Sequence, residues 1–268
     1  MKSRSALQFV LIIGIANFFA DFTYEGARGI VGPFLGSLGA SAATIGFVAG
    51  LGELMGYGLR SFSGYFADRS HRHWSFAFAG YAVNMLAVPA LALATRWPLA
   101  ATLVVAERTG RGLRKPTVEA MLSYAGRSIG AGWVFGLNEA LDQAGATIGP
   151  LLMALILYFN GGFRTGFGVL LIPALFCLAI LLVARLLHPR PHELERDTGH
   201  RFATTNLRRA YWIYLAAGSL IAAGFSRLRL DRFSFSQGEH CVRKFNSRVL
   251  CSCNGEQRAR IDSPGTTV

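Results

Sequence analysis

Ten ionisable residues interrupt stretches of this chain that are otherwise apolar: Asp21, Glu25 and Arg28, then Glu53 and Arg60, then Glu107, Arg108 and Arg111, and finally Glu139 and Asp142. A charge at the centre of a bilayer costs about 2.5 to 3.5 kcal/mol on insertion scales, so such residues persist where they face one another or water inside a bundle. Asp21 and Glu25 are one helical turn apart and Glu25 to Arg28 is an i, i+3 step, which puts all three on one face. Glu139 and Asp142 share a face by the same spacing. Two carboxylates held close in low dielectric compete for a proton, the chemistry of a site that takes up and releases one near neutral pH. The spacing therefore predicts a substrate or proton-coupling site at Asp21, Glu25, Arg28, Glu53, Glu139 and Asp142, against the plainer reading of an ion-pair network that only fixes helix order. For Glu107 with Arg111, an i, i+4 pair, the structural role is favoured.

The elements that must hold these residues are spanning helices, each of about 20 mostly apolar residues. Candidates run over 7–35, 40–64, 74–95, 99–114, 131–158 and 166–187. The first outlasts a signal-peptide core, because apolar character resumes beyond Asp21, and so it reads as a retained helix. A polar, charge-dense segment over 188–208, with Pro189 and Pro191, follows as a cytoplasmic linker, and a seventh apolar stretch over 209–225 is too short to finish a span. The expected organisation is a six-span bundle over 1–187, the linker over 188–208, an incomplete seventh helix over 209–225 and an aberrant, unstructured tail over 226–268.

Composition supports lipid as the main solvent. Of 268 residues 52% are hydrophobic and 16% charged, where soluble domains carry about 25% charged. The net charge of +12 does not mark a nucleic-acid surface, because the cations sit between apolar spans without a basic stripe. Lys2, Arg4, Arg69, Arg72, Arg114, Lys115, Arg127 and the arginines of the linker fall on one side, and Arg96 and Arg164 on the other. By the positive-inside rule the N terminus and linker are cytoplasmic, in a multi-pass protein of the cell (inner) membrane. Glycine pairs at i, i+4 (Gly46 and Gly50, Gly52 and Gly56, Gly132 and Gly136, Gly145 and Gly149) offer close helix approaches. No Ser/His/Asp set, phosphate loop or metal-ligand cluster is present, and all six histidines lie outside the spans. No enzyme, cofactor or metal is expected.

Residues 64–73 read Gly-Tyr-Phe-Ala-Asp-Arg-Ser-His-Arg-His, which resembles the loop signature of the major facilitator superfamily, Gly-x-x-x-Asp-Arg-x-Gly-Arg-Lys. Gly64, Asp68, Arg69 and Arg72 match; His71 and His73 stand where the family prefers glycine and a basic residue. Arg108 and Gly112 resemble the family's fourth-helix pattern Arg-x-x-Gln-Gly, with Arg111 in place of glutamine. Gly136, Gly145, Gly149 and Pro150 resemble a fifth-helix pattern associated with proton-coupled exporters, with Met153 in place of its last glycine. The resemblance implies an all-α membrane fold whose six spans are two inverted three-helix repeats, with Asp68 close to Arg108 or Arg111 as a latch. It also implies a secondary active transporter of a small solute, a proton-coupled exporter by the fifth-helix pattern.

From Ser226 onward eight cations arrive together with Cys241, Cys251 and Cys253, and no apolar span forms. Cys251 and Cys253 lack the usual Cys-x2-Cys spacing of a zinc site. A shifted reading frame permits apolar continuations opposite 227–235 and 244–255, so the sequence predicts a truncated, frameshifted transporter that is inactive alone. Its alternatives are a half-transporter that self-assembles and a non-transporting membrane scaffold.

Overall fold

The computed structural model describes residues 2–70, 73–159, 161–194, 212–214 and 216–220. Within the compact unit Met1–Thr198 the described residues form helices α1 (Lys2–Ser37), α2 (Ala42–Ser70), α3 (His73–Ala90), α4 (Trp97–Ile129), α5 (Ala131–Tyr158), α6 (Phe163–Val169) and α7 (Leu171–Leu187), with short 3₁₀ turns at Leu91–Leu93 and Pro191–Leu194. The unit Gly199–Val268 is helical at 212–214 and 216–220; the expected tail over 226–268 and residues 195–208 of the linker lie outside the described residues.

The turns follow from local chemistry. Gly39 and Gly130 carry the positive φ values of 91° and 102° that break α1 from α2 and α4 from α5. Ser41 caps α2 by accepting the Thr44 N–H at 3.1 Å.

Among the described residues five segments are long and apolar enough to cross a membrane: Arg4–Ser37, Ala42–Tyr65, His73–Leu93, Ala131–Tyr158 and Phe163–Leu187, the last comprising α6 and α7. The fourth expected span differs from its sequence reading. It does not stop at Arg114 but runs on through Pro116 to Ile129. A proline inside a helix frees the carbonyl four residues earlier, here that of Gly112, and Ser63 of α2 donates its hydroxyl to that oxygen at 3.0 Å. A neighbouring helix thus repairs the break, as membrane bundles allow. Arg114 and Lys115 are accordingly bundle residues, and the sign alternation of the loops rests on the remaining cations.

Glycines set the crossings. A Cβ on Gly145 or Gly149 would lie 2.3 and 2.2 Å from the carbonyl oxygens of Phe18 and Phe22, so α5 lies backbone to backbone along α1. A Cβ on Gly112 would lie 2.4 Å from the Gly56 oxygen, which puts α2 in the same relation to α4. The α1–α5 and α4–α2 contacts exchange when first and fourth, and second and fifth, spans are swapped, the pattern that two inverted three-helix repeats produce. Among the described residues nothing lies within 4 Å of such a Cβ on Gly46, Gly50, Gly132 or Gly136, so there only two of the four expected glycine pairs make close helix contacts.

Two apolar cores result. One gathers Phe9, Ile13, Tyr81, Met85, Met121 and Leu181; the other gathers Ile30, Phe34, Leu91, Val104, Met153 and Phe167. Along α1 the cores break between Ala20 and Ala27, and along α4 between Val104 and Val118. Those two gaps hold the charges.

Candidate functional site

The charged residues in the gap separate into two layers. Counted from the ends of α1 and α4 that meet α2 and the 3₁₀ turn, Asp21 and Arg114 lie about 25 Å in, and Arg28 and Arg108 about 15 Å in, at 1.5 Å per residue.

The deeper layer is a closed network. Arg114 is fully buried, with its guanidinium 4.8 Å above the Tyr81 ring centroid. Its Nη2 donates to Asp21 Oδ1 at 2.9 Å and its Nη1 to Asn17 Oδ1 at 3.4 Å. Asn17 Oδ1 also accepts the Tyr81 hydroxyl, while Asn17 Nδ2 donates to Asn138 Oδ1 at 2.7 Å. On α5, Asp142 Oδ2 receives Lys115 Nζ at 2.8 Å and Asn138 Nδ2 at 3.4 Å. Two carboxylates and two cations from α1, α4 and α5 balance inside protein, with Tyr81 of α3 closing the ring of contacts. Asp142 Oδ1 and Arg114 Nε remain buried without a hydrogen-bond partner.

The shallower layer lies open. Glu53 of α2 receives Arg108 Nη1 at 2.8 Å and Arg28 Nη2 at 3.5 Å, and Arg28 also holds Glu25 at 3.2 Å. Arg108 Nε reaches Glu107 Oε2 at 3.2 Å, and Glu107 Oε1 accepts Asn84 Nδ2 at 2.8 Å. Tyr24 lies between cations: its hydroxyl meets Arg108, and Arg111 lies 4.0 Å from its ring centroid. Glu53 is 38% exposed and Arg28 32%. A cleft over Gly56 and Gly112 is walled by Glu53, Tyr57, Arg60, Arg108 and Arg111.

The structure therefore divides the expected set. Asp21 and Asp142 belong to the closed network; Glu25, Arg28 and Glu53 belong to the open one. Glu139 belongs to neither: it is exposed and accepts a hydrogen bond from Gln143 at 2.7 Å. Its i, i+3 partner Asp142 turns inward because Asn138 and Lys115 provide for it there. Glu107 pairs with Arg108 rather than Arg111, whose guanidinium turns to Tyr24. Of the motif residues, Gly112, Gly145 and Gly149 make helix crossings, Gly64 makes ordinary contact with Pro116, and Gly136 faces open space. Pro150 lies inside α5, and Arg69 donates to the Tyr65 hydroxyl at 3.2 Å. The Asp68 side chain and Arg72 fall outside the described residues.

Asn17, Tyr24, Tyr81, Asn84 and Asn138 are absent from the expected set. Their signal is an amide or phenol inside an apolar span, a type that needs a partner there. Arg114 and Lys115 were hidden by Pro116, which reads as a helix end.

Comparison with known proteins agrees with this architecture. The family model described as Major Facilitator Superfamily matches residues 13–235. Uncharacterized proteins of Mycobacterium tuberculosis and Mycobacterium bovis are each 39% identical over 244 residues, covering 89% of this chain and 59% of the relative. An uncharacterized MFS-type transporter of Methanocaldococcus jannaschii is 28% identical over 236 residues, covering 87% of this chain and 56% of its own length. The chain thus spans somewhat over half the length of these relatives.

Proposed function

Because the chain belongs to the major facilitator superfamily, we propose that it supplies one wall of a secondary active transporter that moves a small solute across a cell membrane. The observation that carries this reading is the open layer: charged side chains of α2 and α4 converge on a cleft, and Arg28 of α1 pairs with Glu53 on its wall. In this reading solute meets the bundle at Glu53, Arg28 and Arg108. Glu25 of that layer, with Asp21 and Asp142 of the deeper one, provides the carboxylates for proton coupling in an exporter, while Glu139 stands at an exposed position of α5. The N terminus and the linker over 188–208 are cytoplasmic, as the remaining loop cations favour, and the membrane is the inner one. The six spans form the unit over 1–187 and the seventh, over 209–225, is incomplete. We further propose that this part of the relatives' length binds solute without carrying it across.

The test is equilibrium binding and uptake on the same proteoliposomes, with a panel of radiolabelled small solutes and an imposed pH gradient. Binding without uptake is expected, weakened at least tenfold by Glu53→Gln together with Arg108→Gln. Uptake that dissipates the gradient would move the reading to a self-assembling half-transporter. Neither binding nor uptake across the panel would remove the transport reading.

A further inference from the structure

The open layer contains more cations than its carboxylates employ. Glu25 is held by Arg28, Glu53 by Arg28 and Arg108, and Glu107 by Arg108. Arg60 and Arg111 line the same cleft, and among the described residues neither forms an ion pair. Each rests its guanidinium on an aromatic ring, Arg60 at 5.3 Å from the Tyr57 centroid and Arg111 at 4.0 Å from that of Tyr24. Each also has its Nε buried without a hydrogen-bond partner.

Four arginines against three carboxylates leave a net positive charge in a bundle where unpaired charge is costly. Cation–π contact with Tyr57 and Tyr24 offsets part of that cost but supplies no acceptor for the N–H groups. A guanidinium left with free donors matches carboxylate and phosphate oxygens. Both guanidinium groups line one cleft, whose floor is the crossing of α2 and α4 at Gly56 and Gly112. Glu53, the carboxylate on the wall, is already neutralised by Arg108 at 2.8 Å.

We propose that Arg60 and Arg111 form a binding site for a small oxyanion, a carboxylate or phosphate group, and that the solute of this transporter is anionic. The identification of that anion as cargo rests on the transport reading; the binding event does not. Arg60 and Arg111 come from α2 and α4, whose backbones touch at Gly56 and Gly112, so the anion bridges two helices that already share a crossing.

The experiment uses the full chain in lipid nanodiscs, with inorganic phosphate and succinate as probes and sodium chloride at matched ionic strength as control. Phenylglyoxal, an arginine reagent, is followed by peptide mass spectrometry. Phosphate or succinate is expected to slow modification of Arg60 and Arg111 at least fivefold while leaving Arg164, which lies outside the cleft and donates to the Ala94 carbonyl at 3.3 Å, unchanged. One of the two probes should also raise the thermal midpoint saturably, and Arg60→Gln and Arg111→Gln should each abolish the rise while Arg164→Gln keeps it. The protection assay needs no variant, so a misfolded Arg111→Gln protein does not leave the question open. Equal modification in chloride and in both probes overturns the proposal, as does protection of all three arginines alike. Protection without uptake in proteoliposomes supports both readings, and protection with uptake would leave the anion site standing while moving the transport reading to a self-assembling half-transporter.

Discussion

The two charged layers of this bundle sit about 10 Å apart along α1 and α4, by helical rise, yet they differ in kind. In the deeper one Arg114 is fully buried and every charge has an opposite partner drawn from another helix or another turn. In the shallower one Glu53 and Arg28 are about a third exposed, and among the described residues Arg60 and Arg111 form no ion pair. A closed set of charges locks helices together, because removing one member strands another in low dielectric. An open set retains the freedom to exchange a partner for a ligand, at the cost of contributing little to stability.

The sharpest way to break the contrast is Arg114→Ala. It leaves Asp21 buried without its cation, and breaking a buried pair costs about 3 to 5 kcal/mol; the expected outcome is loss of a monodisperse peak or a large drop in thermal midpoint in detergent. Next in size is Gly149→Ala, whose Cβ would lie 2.2 Å from the Phe22 oxygen. It should push α5 from α1 and lower stability by about 1 to 3 kcal/mol, the range for overpacking. Gly132→Ala, with open space at its Cβ, should stay within about 0.5 kcal/mol of the parent. In the open layer Glu53→Gln should cost at most about 1 kcal/mol, as for a half-exposed ion pair, measured by the same unfolding assay. A loss at Glu53 equal to that at Arg114 would erase the distinction between the layers.

The smallest effect lies outside both. His188, past the end of α7, contacts the Ser5 hydroxyl at 3.1 Å and the Phe9 ring, and burial pushes its pKa below the usual value. The unfolded chain then binds the proton more readily, so stability should decline as pH falls from about 6.5 towards the lowered value and level off below it. A flatter thermal-midpoint profile over that window is expected for His188→Gln.

Much of the helix plan was legible because apolar runs of spanning length are a strong signal, although α2 runs on to Ser70 through most of the motif that reads as a loop. The end of the fourth helix was not legible. Pro116 marks a stop in sequence, and only a hydroxyl from another helix, Ser63, reveals why the helix continues. The charges were legible as a set but not in their partition. Asp21 and Glu25 are neighbours by spacing, yet each is claimed by a different arginine, Arg114 and Arg28, and those claims depend on how α1 packs against α4 and α2. The uncharged members of the network, Asn17, Tyr81 and Asn138, acquire meaning only when three helices meet.

One labelling measurement tests the division of the layers most directly. Cys177 lies buried beside the closed network, its thiol directed at the Ala16 carbonyl at 3.2 Å, and Tyr57 lines the open cleft. In a background with Cys241, Cys251 and Cys253 changed to serine, Tyr57→Cys in nanodiscs should react with a charged maleimide at least tenfold faster than Cys177. Equal rates at the two positions, whether both fast or both slow, would contradict the account.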